Sequence, residues 1–301
     1  MPKLGVILGP EQDVAESSRR LESLGFDYVT VGEHVAFHRP ASNAFVSLAI
    51  AAGATSRIGL VSGITLLPLY PAALAAKMAG ELARLSGGRF SLGVGAGGEF
   101  AAEFEACGVP VGQRHARTDE ALIVMRRLWQ EEHVTFEGRF TTIHDLTLAP
   151  RPPSPPDVWV GGRGERAMRR AAAQGDVWMP YLYSPRRLRE SVETVTAAAE
   201  QAGRDPASIG VAIYVTVALA ASRDEGVARA AESLGRTYAT DMSAAAARYV
   251  VGGSIVECVE QLRAYVEAGA DRLIIGFLGD SEGYWDRVEQ FAAEAMPALG
   301  T

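Results

Sequence analysis

The sequence has little lysine, little cysteine and no long apolar run. It has 29 basic residues, but lysine occurs only at Lys3 and Lys77, and the formal net charge is −7. A basic stripe of the kind that displaces counterions from nucleic-acid phosphates is therefore not expected. Cys107 and Cys258 are too few and too far apart for a disulfide framework or a cysteine metal cluster, so we expect a reduced, cytoplasmic protein.

The apolar segments are also too short to suggest a membrane partner. The longest, residues 210–221, is 12 residues long, whereas a spanning helix needs roughly 18–20. The first nine residues look like a strand and lack the basic start and long apolar core of a secretory signal. With 48% apolar and 22% charged residues, the composition is that of a globular protein.

Strand-like and helix-like segments alternate along nearly the whole chain. The eight strand-like runs are Lys3–Leu8, Tyr28–Val31, Ile58–Thr65, Phe90–Gly95, Asp157–Val160, Val177–Met179, Ile209–Leu219 and Arg272–Phe277. Parallel strands need helical crossovers, and eight such units in about 300 residues favour a (β/α)8 TIM barrel over an open doubly wound sheet. We predict one α/β barrel domain over residues 1–301, with insertions after strand 4 (Val134–Pro156, beginning with a hairpin) and after strand 7 (Arg223–Gly253).

The exit of the second strand carries an ionisable pair, Glu33-His34. In α/β barrels, chemistry takes place at the carboxyl ends of the strands, and histidine titrates near neutrality, so the pair is a candidate general acid/base. A hydrogen-bonded structural histidine is an equally open interpretation. His38 lies nearby, but no further ligand is evident, and we predict no metal site.

Glycines follow the third and fourth strands. Gly63, before Ile64 and Thr65, would let a flat ligand approach the backbone, although a tight turn is the simpler interpretation. The fourth strand leads into Gly95, Ala96, Gly97, Gly98 and Glu99. Gly93, Gly95 and Gly98 match G-x-G-x-x-G, but Gly93 lies inside the strand and the next helix begins much later than a dinucleotide site requires. An open bed for a planar aromatic cofactor suits the segment better.

The fifth strand ends in Gly161, Gly162 and Arg163, directly before a predicted helix. Exposed N–H groups at a helix N-terminus, together with a flanking arginine, make an anion site. We therefore predict phosphate binding here, the alternative being a glycine turn with a solvated arginine.

Taken together, these segments resemble the luciferase-like monooxygenase superfamily and, within it, the branch that uses the deazaflavin coenzyme F420. The resemblance covers nearly the whole chain and depends on the order and spacing of several short stretches. They are Glu33-His34, 57–60, Pro71-Ala72, 85–89, 92–95, 103–110, 117–120, 136–138, 160–162 and 269–272.

The resemblance implies a barrel that holds F420 or FMN at its mouth. It implies a non-prolyl cis peptide bond at Gly63-Ile64, and it places Glu33, where relatives often have Asp, and His34 beside the reactive face. His34 would relay a proton, residues 95–98 would lie along the cofactor with Glu99 at its edge, and residues 161–163 would hold the tail phosphate. Sugar-phosphate dehydrogenases of the family have a tryptophan shortly after the histidine, whereas this chain has Phe37 and His38.

Three functions remain open from the sequence. The leading one is an oxidoreductase that transfers a hydride between F420 and a small organic substrate. The others are an FMN-dependent monooxygenase supplied by a separate reductase, and a non-catalytic flavin- or deazaflavin-binding barrel. Because barrels of this superfamily commonly pair through outer helices, we also expect a homodimer, with the Ala-rich faces of Ala72–Leu85 and Thr118–Gln130 as candidate contacts.

Overall fold

Eight parallel strands close into a barrel in this computed structural model, which describes residues 1–278 and 283–300. Around the barrel the strands follow chain order, and the last pairs with the first. They are β1 (Lys3–Leu8), β2 (Tyr28–Val31), β3 (Gly59–Ser62), β5 (Phe90–Gly95), β8 (Val158–Gly161), β9 (Val177–Met179), β10 (Gly210–Leu219) and β12 (Arg272–Phe277). The predicted (β/α)8 barrel is confirmed.

The third predicted strand is divided in two. The prediction of one run from Ile58 to Thr65 is wrong in this detail: β3 ends at Ser62, and β4 (Thr65–Leu66) follows after a cis peptide bond between Gly63 and Ile64. Both pieces pair with β5. The cis bond is the one that the family resemblance implied.

Helices surround the barrel. They are α1 (Val14–Ser23), α2 (Ala44–Ala54), α3 (Ala72–Leu85), α4 (Ala101–Ala106), α5 (Arg114–Gln130), α6 (Glu165–Gln174), α7 (Pro185–Gln201), α8 (Arg223–Tyr238), α9 (Ser243–Tyr249), α10 (Ile255–Glu267), α11 (Tyr284–Gln290) and α12 (Met296–Leu299), with a π-helical turn at Phe291–Ala295. The sequence patterns missed α4 and began α5 four residues late. None of the helices in residues 1–278 and 283–300 is long and apolar enough to cross a membrane.

Both insertions lie where the sequence predicted them. After β5 and α5, β6 (Val134–Glu137) and β7 (Thr142–Leu146) form an antiparallel hairpin. After β10, α8 and α9 pack together and lead to the short strand β11 (Val251–Gly253), which pairs with β10.

Local capping explains several helix boundaries. Asp13 and Ser184 accept hydrogen bonds from backbone N–H groups in the first turns of α1 and α7, and Ser254 forms a reciprocal capping box with Glu257 at α10. At the other end of α10, Gly269 has a φ of +107°, a conformation that favours glycine. Asp, Ser and Gly are the residue types that such cap positions favour, so the few residues around each boundary are enough to predict it.

The barrel interior is filled, so it is a core and not a pore. Its middle is packed by Val61, Trp159, Val177, Met179, Ala212 and Ile274. A larger apolar cluster joins the outer faces of the strands to the helices. This packing fixes the strand ends, and with them the loops of the barrel mouth.

Candidate active site

His34 lies at the exit of β2 and is held by a buried carboxylate. Its Nδ1 is 3.1 Å from Oε2 and 3.2 Å from Oε1 of Glu103, which is fully buried on α4. The same carboxylate accepts the backbone N–H of Val35 at 3.1 Å. A carboxylate oxygen accepts hydrogen bonds, so this contact assigns the proton to Nδ1 and, in the neutral ring, leaves Nε2 as an acceptor. The His34 side chain is 24% exposed, which leaves the imidazole accessible.

Glu33, the other member of the predicted pair, points into the protein and is enclosed by donors. Its Oε1 accepts the N–H of Leu66 at 2.8 Å, and its Oε2 accepts the N–H of Ala44 at 3.2 Å. The Tyr70 hydroxyl and the Asn43 amide also donate to Oε2, at 3.1 and 3.3 Å. Burial raises the pKa of Glu33, and these donors oppose the rise. Glu33 therefore joins β4 and the start of α2 to the β2 exit.

The glycines near the barrel mouth make room for Ile64. A Cβ on Gly95 would lie 2.0 Å from Cδ1 of Ile64, and a Cβ on Gly161 would lie 2.9 Å from its Cγ2. Gly63 leaves similar room for Thr30, since a Cβ there would lie 2.2 Å from Cγ2 of that threonine. The Ile64 side chain therefore fills the space beside Gly95 and Gly161, and it forms an apolar surface at the base of the barrel mouth.

The loop after β5 turns sharply at Gly97 and Gly98. Their φ angles of +60° and +102° favour glycine, and a Cβ on Gly98 would lie 2.7 Å from Nε of Arg114. Ala96 is buried just before the turn. Thr65, on the far side of Ile64, is also fully buried.

The predicted phosphate loop leads into α6. Trp178 donates its indole N–H to the carbonyl of Gly162 at 3.1 Å, and the Tyr183 hydroxyl donates to the carbonyl of Arg163 at 2.8 Å. In the described part of the chain no side chain caps the helix start at Gly164. Ala167 and Met168 donate to the carbonyl of Gly164, so the N–H groups of Glu165 and Arg166 are the ones that an anion could bind.

Several arginines lie near His115, which precedes α6 in the chain and contacts its side of the barrel mouth through Arg170. Burial lowers the pKa of His115, and the nearby charges of Arg114, Arg170 and Arg166 lower it further. Arg166 stands in the first turn of α6 next to the acidic Glu165, and Arg170, one turn later, is paired with Asp119 at 2.6 Å.

Glu99 connects two of the mouth loops. It accepts a hydrogen bond of 2.5 Å from the Tyr181 hydroxyl. The guanidinium of Arg163 lies 4.8 Å from the centre of the Tyr181 ring. Burial and the neighbouring Glu99 charge raise the pKa of Tyr181, which keeps the phenol protonated and donating.

An aromatic wall stands beside His34, formed by Phe37, His38, Phe100 and Tyr238. The Phe37 ring stacks on the imidazole of His34, with ring centres 4.2 Å apart and planes 17° apart. It meets Phe100 and Tyr238 edge-on at 6.2 and 6.1 Å. Tyr238 ends α8, so the second insertion supplies part of this wall.

Neither Glu103 nor Tyr181 was predicted as a site residue from the sequence. The one local signal for Glu103 was an acidic residue beside phenylalanine in the segment after the glycine loop, whereas Glu105, two positions later, is exposed. Tyr181 lies two residues after the end of β9, at a strand exit that has neither a glycine nor a charged residue to mark it. Among the described residues, no group of three or more histidine, cysteine, aspartate or glutamate side chains is arranged to hold a metal.

Residues 7–272 match the luciferase-like monooxygenase family, and the chain belongs to it. An F420-dependent glucose-6-phosphate dehydrogenase of Intrasporangium calvum is 30% identical over 97% of this chain and 95% of its own length. An F420-dependent hydroxymycolic acid dehydrogenase of Mycobacterium tuberculosis is 29% identical over 76% of this chain and 66% of its own.

Solved structures agree on the fold. An F420-dependent secondary alcohol dehydrogenase in complex with an F420-acetone adduct superimposes with a TM-score of 0.88 over 99% of both chains, at 23% identity. The three proteins are named for different substrates, so membership of the family leaves the substrate of this chain undetermined.

Proposed function

We propose that this chain is an oxidoreductase that transfers a hydride between F420 and a small organic substrate. The observation that carries the proposal is the His34–Glu103 pair, an accessible imidazole held by a buried carboxylate at a strand exit of the barrel. The F420-dependent relatives support the choice of cofactor. We further propose that residues 1–301 act as a single luciferase-like barrel domain.

The residues of the mouth suit a deazaflavin cofactor. Ile64, between Gly63 and Thr65, would support the rings from below, and the turn of Ala96, Gly97 and Gly98 would lie along them. The N–H groups at the start of α6, with Gly161, Gly162 and Arg163, would hold the tail phosphate. Glu99 would stand at the edge, fixed by Tyr181. When bound, F420 supplies a two-electron centre that accepts or donates a hydride at C5.

His34 moves the proton. With Nδ1 donating to Glu103, the lone pair of Nε2 can accept the proton of a substrate hydroxyl as its carbon is oxidised. In the reverse direction the protonated imidazole donates the proton to the carbonyl oxygen of the substrate. Glu103 positions the ring and stabilises its cationic form, as a buried carboxylate does in a catalytic triad.

Glu33 acts by position. Because both of its oxygens are occupied by donors, we propose that it holds the β2 exit in place and leaves proton transfer to His34.

Replacing His34 by Ala tests the proton-transfer role. We expect turnover to fall roughly 10²- to 10⁴-fold while F420 still binds. The exposed His144, on the hairpin, provides a matched control, and H144A should leave both quantities unchanged. Unchanged turnover in H34A would remove the assigned role.

Titration with F420 and with FMN tests the cofactor. We expect F420 to bind and the absorbance of the bound F420 to change when a substrate is added. We expect FMN to bind weakly. Tight binding of FMN alone would favour the monooxygenase alternative, and binding of F420 without turnover of any substrate would favour a non-catalytic barrel.

We also propose a homodimer, formed through α2 and not through the alanines named from the sequence. On α3, Ala75, Ala76, Ala79 and Ala83 are buried within the chain. On α2 the outward positions are Val46, Ala49, Ile50 and Gly53, and the helix has no charged residue. An apolar outward face of this kind favours an association surface. The cytoplasmic location stays a prediction, which fractionation of source cells would test.

A further inference from the structure

We propose that the aromatic wall beside His34 selects an uncharged secondary alcohol, or the matching ketone, with an apolar arm, and that it excludes phosphorylated substrates. This inference rests on the proposed function, since it names the substrate class of the same site. The wall consists of Phe37, His38, Phe100 and Tyr238.

The wall begins at the catalytic imidazole itself. Phe37 covers one face of the His34 ring at 4.2 Å, so a substrate hydroxyl that reaches Nε2 brings its neighbouring carbon atoms against the phenylalanine. His38 and Phe100, whose ring centres lie 5.2 Å apart, continue the surface. A substrate arm here exchanges water for aromatic rings, which is favourable for apolar groups and unfavourable for a phosphate.

The buried carboxylate nearest to the wall acts in the same direction. Glu103 lies behind His34. At Tyr238, burial, followed by the neighbouring Tyr214 and Glu99, raises the pKa of the phenol, whereas the charge of Arg163 lowers it. Two arginines of the surrounding loops are directed to other groups. Arg39 donates to the Thr237 hydroxyl at 3.3 Å, and Arg163 lies over the Tyr181 ring. A dianionic substrate arm placed against Phe37, beside His34, would meet apolar rings and the Glu103 carboxylate.

The reaction balances with one alcohol and one oxidised cofactor. The carbinol C–H bond breaks and both of its electrons leave with the hydrogen as a hydride to F420. The hydroxyl proton passes to Nε2 of His34 as the C=O bond forms. The products are a ketone, the reduced cofactor and a protonated imidazole, which then releases its proton to water.

A series of alkan-2-ols tests the proposal with the intact chain and F420. We expect kcat/KM to rise about three- to fourfold for each added methylene, until the wall is covered, because burying a CH₂ is worth about 0.8 kcal/mol. Glucose 6-phosphate should be turned over at least roughly 10²-fold less efficiently than the best alcohol.

Phe37→Ala should reduce the gain per methylene to less than about twofold, and Phe37→Leu should restore most of it. Phe140→Ala is the matched control, since Phe140 lies on the hairpin beside Arg117 and outside the wall. F420 affinity should be unchanged in all three variants, which separates loss of substrate contact from loss of the fold.

The wild-type panel alone can overturn the inference. Preferred turnover of glucose 6-phosphate, or an equal kcat/KM for short and long alcohols, would refute the aromatic selection while leaving hydride transfer intact. If F420 does not bind, the proposed function fails as well, and this outcome is distinguishable because it precedes any choice of substrate.

Discussion

Replacing Glu33 by Gln separates a positioning carboxylate from one that transfers protons. An amide has one acceptor oxygen where the carboxylate has two. In the wild-type protein the Leu66 N–H donates to Oε1 of Glu33 at 2.8 Å. If the amide oxygen of the substituted glutamine takes the place of Oε2, its NH₂ group takes the place of Oε1, and the Leu66 N–H then faces a donor. A buried N–H left without an acceptor costs about 1–3 kcal/mol.

The remaining bonds weaken too, because their acceptor loses its charge. The donors at Oε2 are the N–H of Ala44, the Tyr70 hydroxyl and the Asn43 amide. Hydrogen bonds to charged groups are roughly twice as strong as neutral ones. The neutral amide recovers part of the cost of burying a charge, so we expect a net loss of about 2–4 kcal/mol. At about 2 °C per kcal/mol for a chain of this size, Tm should fall by about 4–8 °C.

Thermal unfolding and steady-state turnover are measured on the same samples, with E105Q as a control at an exposed position of α4. E105Q should change stability by less than about 0.5 kcal/mol. Below its Tm, E33Q should retain more turnover than H34A. An unchanged Tm combined with a loss of turnover as large as that of H34A would refute the reasoning and return a chemical role to Glu33.

The pH dependence supplies a second check on Glu33. Burial raises its pKa in the folded protein, so the folded state holds this proton more tightly than the unfolded state. The stability that Glu33 contributes is then complete below its unfolded pKa and declines as the pH rises through the folded value. The difference in unfolding free energy between wild type and E33Q should therefore widen as the pH falls through the raised folded pKa of Glu33 towards its unfolded pKa, and a difference that narrows would contradict the raised pKa.

Three further predictions concern other parts of the molecule. Glu103→Gln should lower turnover by roughly 10²-fold or more and shift the pH profile, because an amide cannot enforce the imidazole tautomer; an unchanged profile would contradict this. Gly95→Ala should weaken F420 binding about tenfold or more by displacing Ile64, measured by titration, whereas Gly112→Ala, where a Cβ meets nothing within 4 Å, should have no effect. Val46→Glu should convert a dimer to monomers in light scattering, and a wild type that is already monomeric would remove the dimer proposal.

The sequence alone predicted much of the local structure and the architecture. Ser254 caps the start of α10, and Gly269 takes up the left-handed conformation just past its end. Each of these features depends on residues only a few positions apart, so the local sequence is enough to predict it. The regular alternation of segments predicted the barrel, because parallel neighbours require helical crossovers. The division of the third strand lay beyond such patterns, since Gly63-Ile64 could equally have continued the strand.

Some members of the candidate site were predictable from the sequence, but Glu103 and Tyr181 were not, and neither were the roles of the pair at the β2 exit. Glu33 and His34 are adjacent in the sequence and were assigned together, yet one side chain points into a cage of donors and the other to the mouth. Glu99 was placed at the cofactor edge, but its bond to Tyr181 spans 82 positions.

What the sequence by itself determined is therefore the order of the elements, the capping of the helices and the glycine-rich strand ends, all of which depend on near neighbours along the chain. The tertiary structure alone decided that Glu103 orients His34 from 69 positions away, and that the space left by Gly95 and Gly161 belongs to Ile64. The physical reason is that hydrogen bonds and packing act over a few ångströms in space, and only closure of the barrel brings these strand ends within that distance.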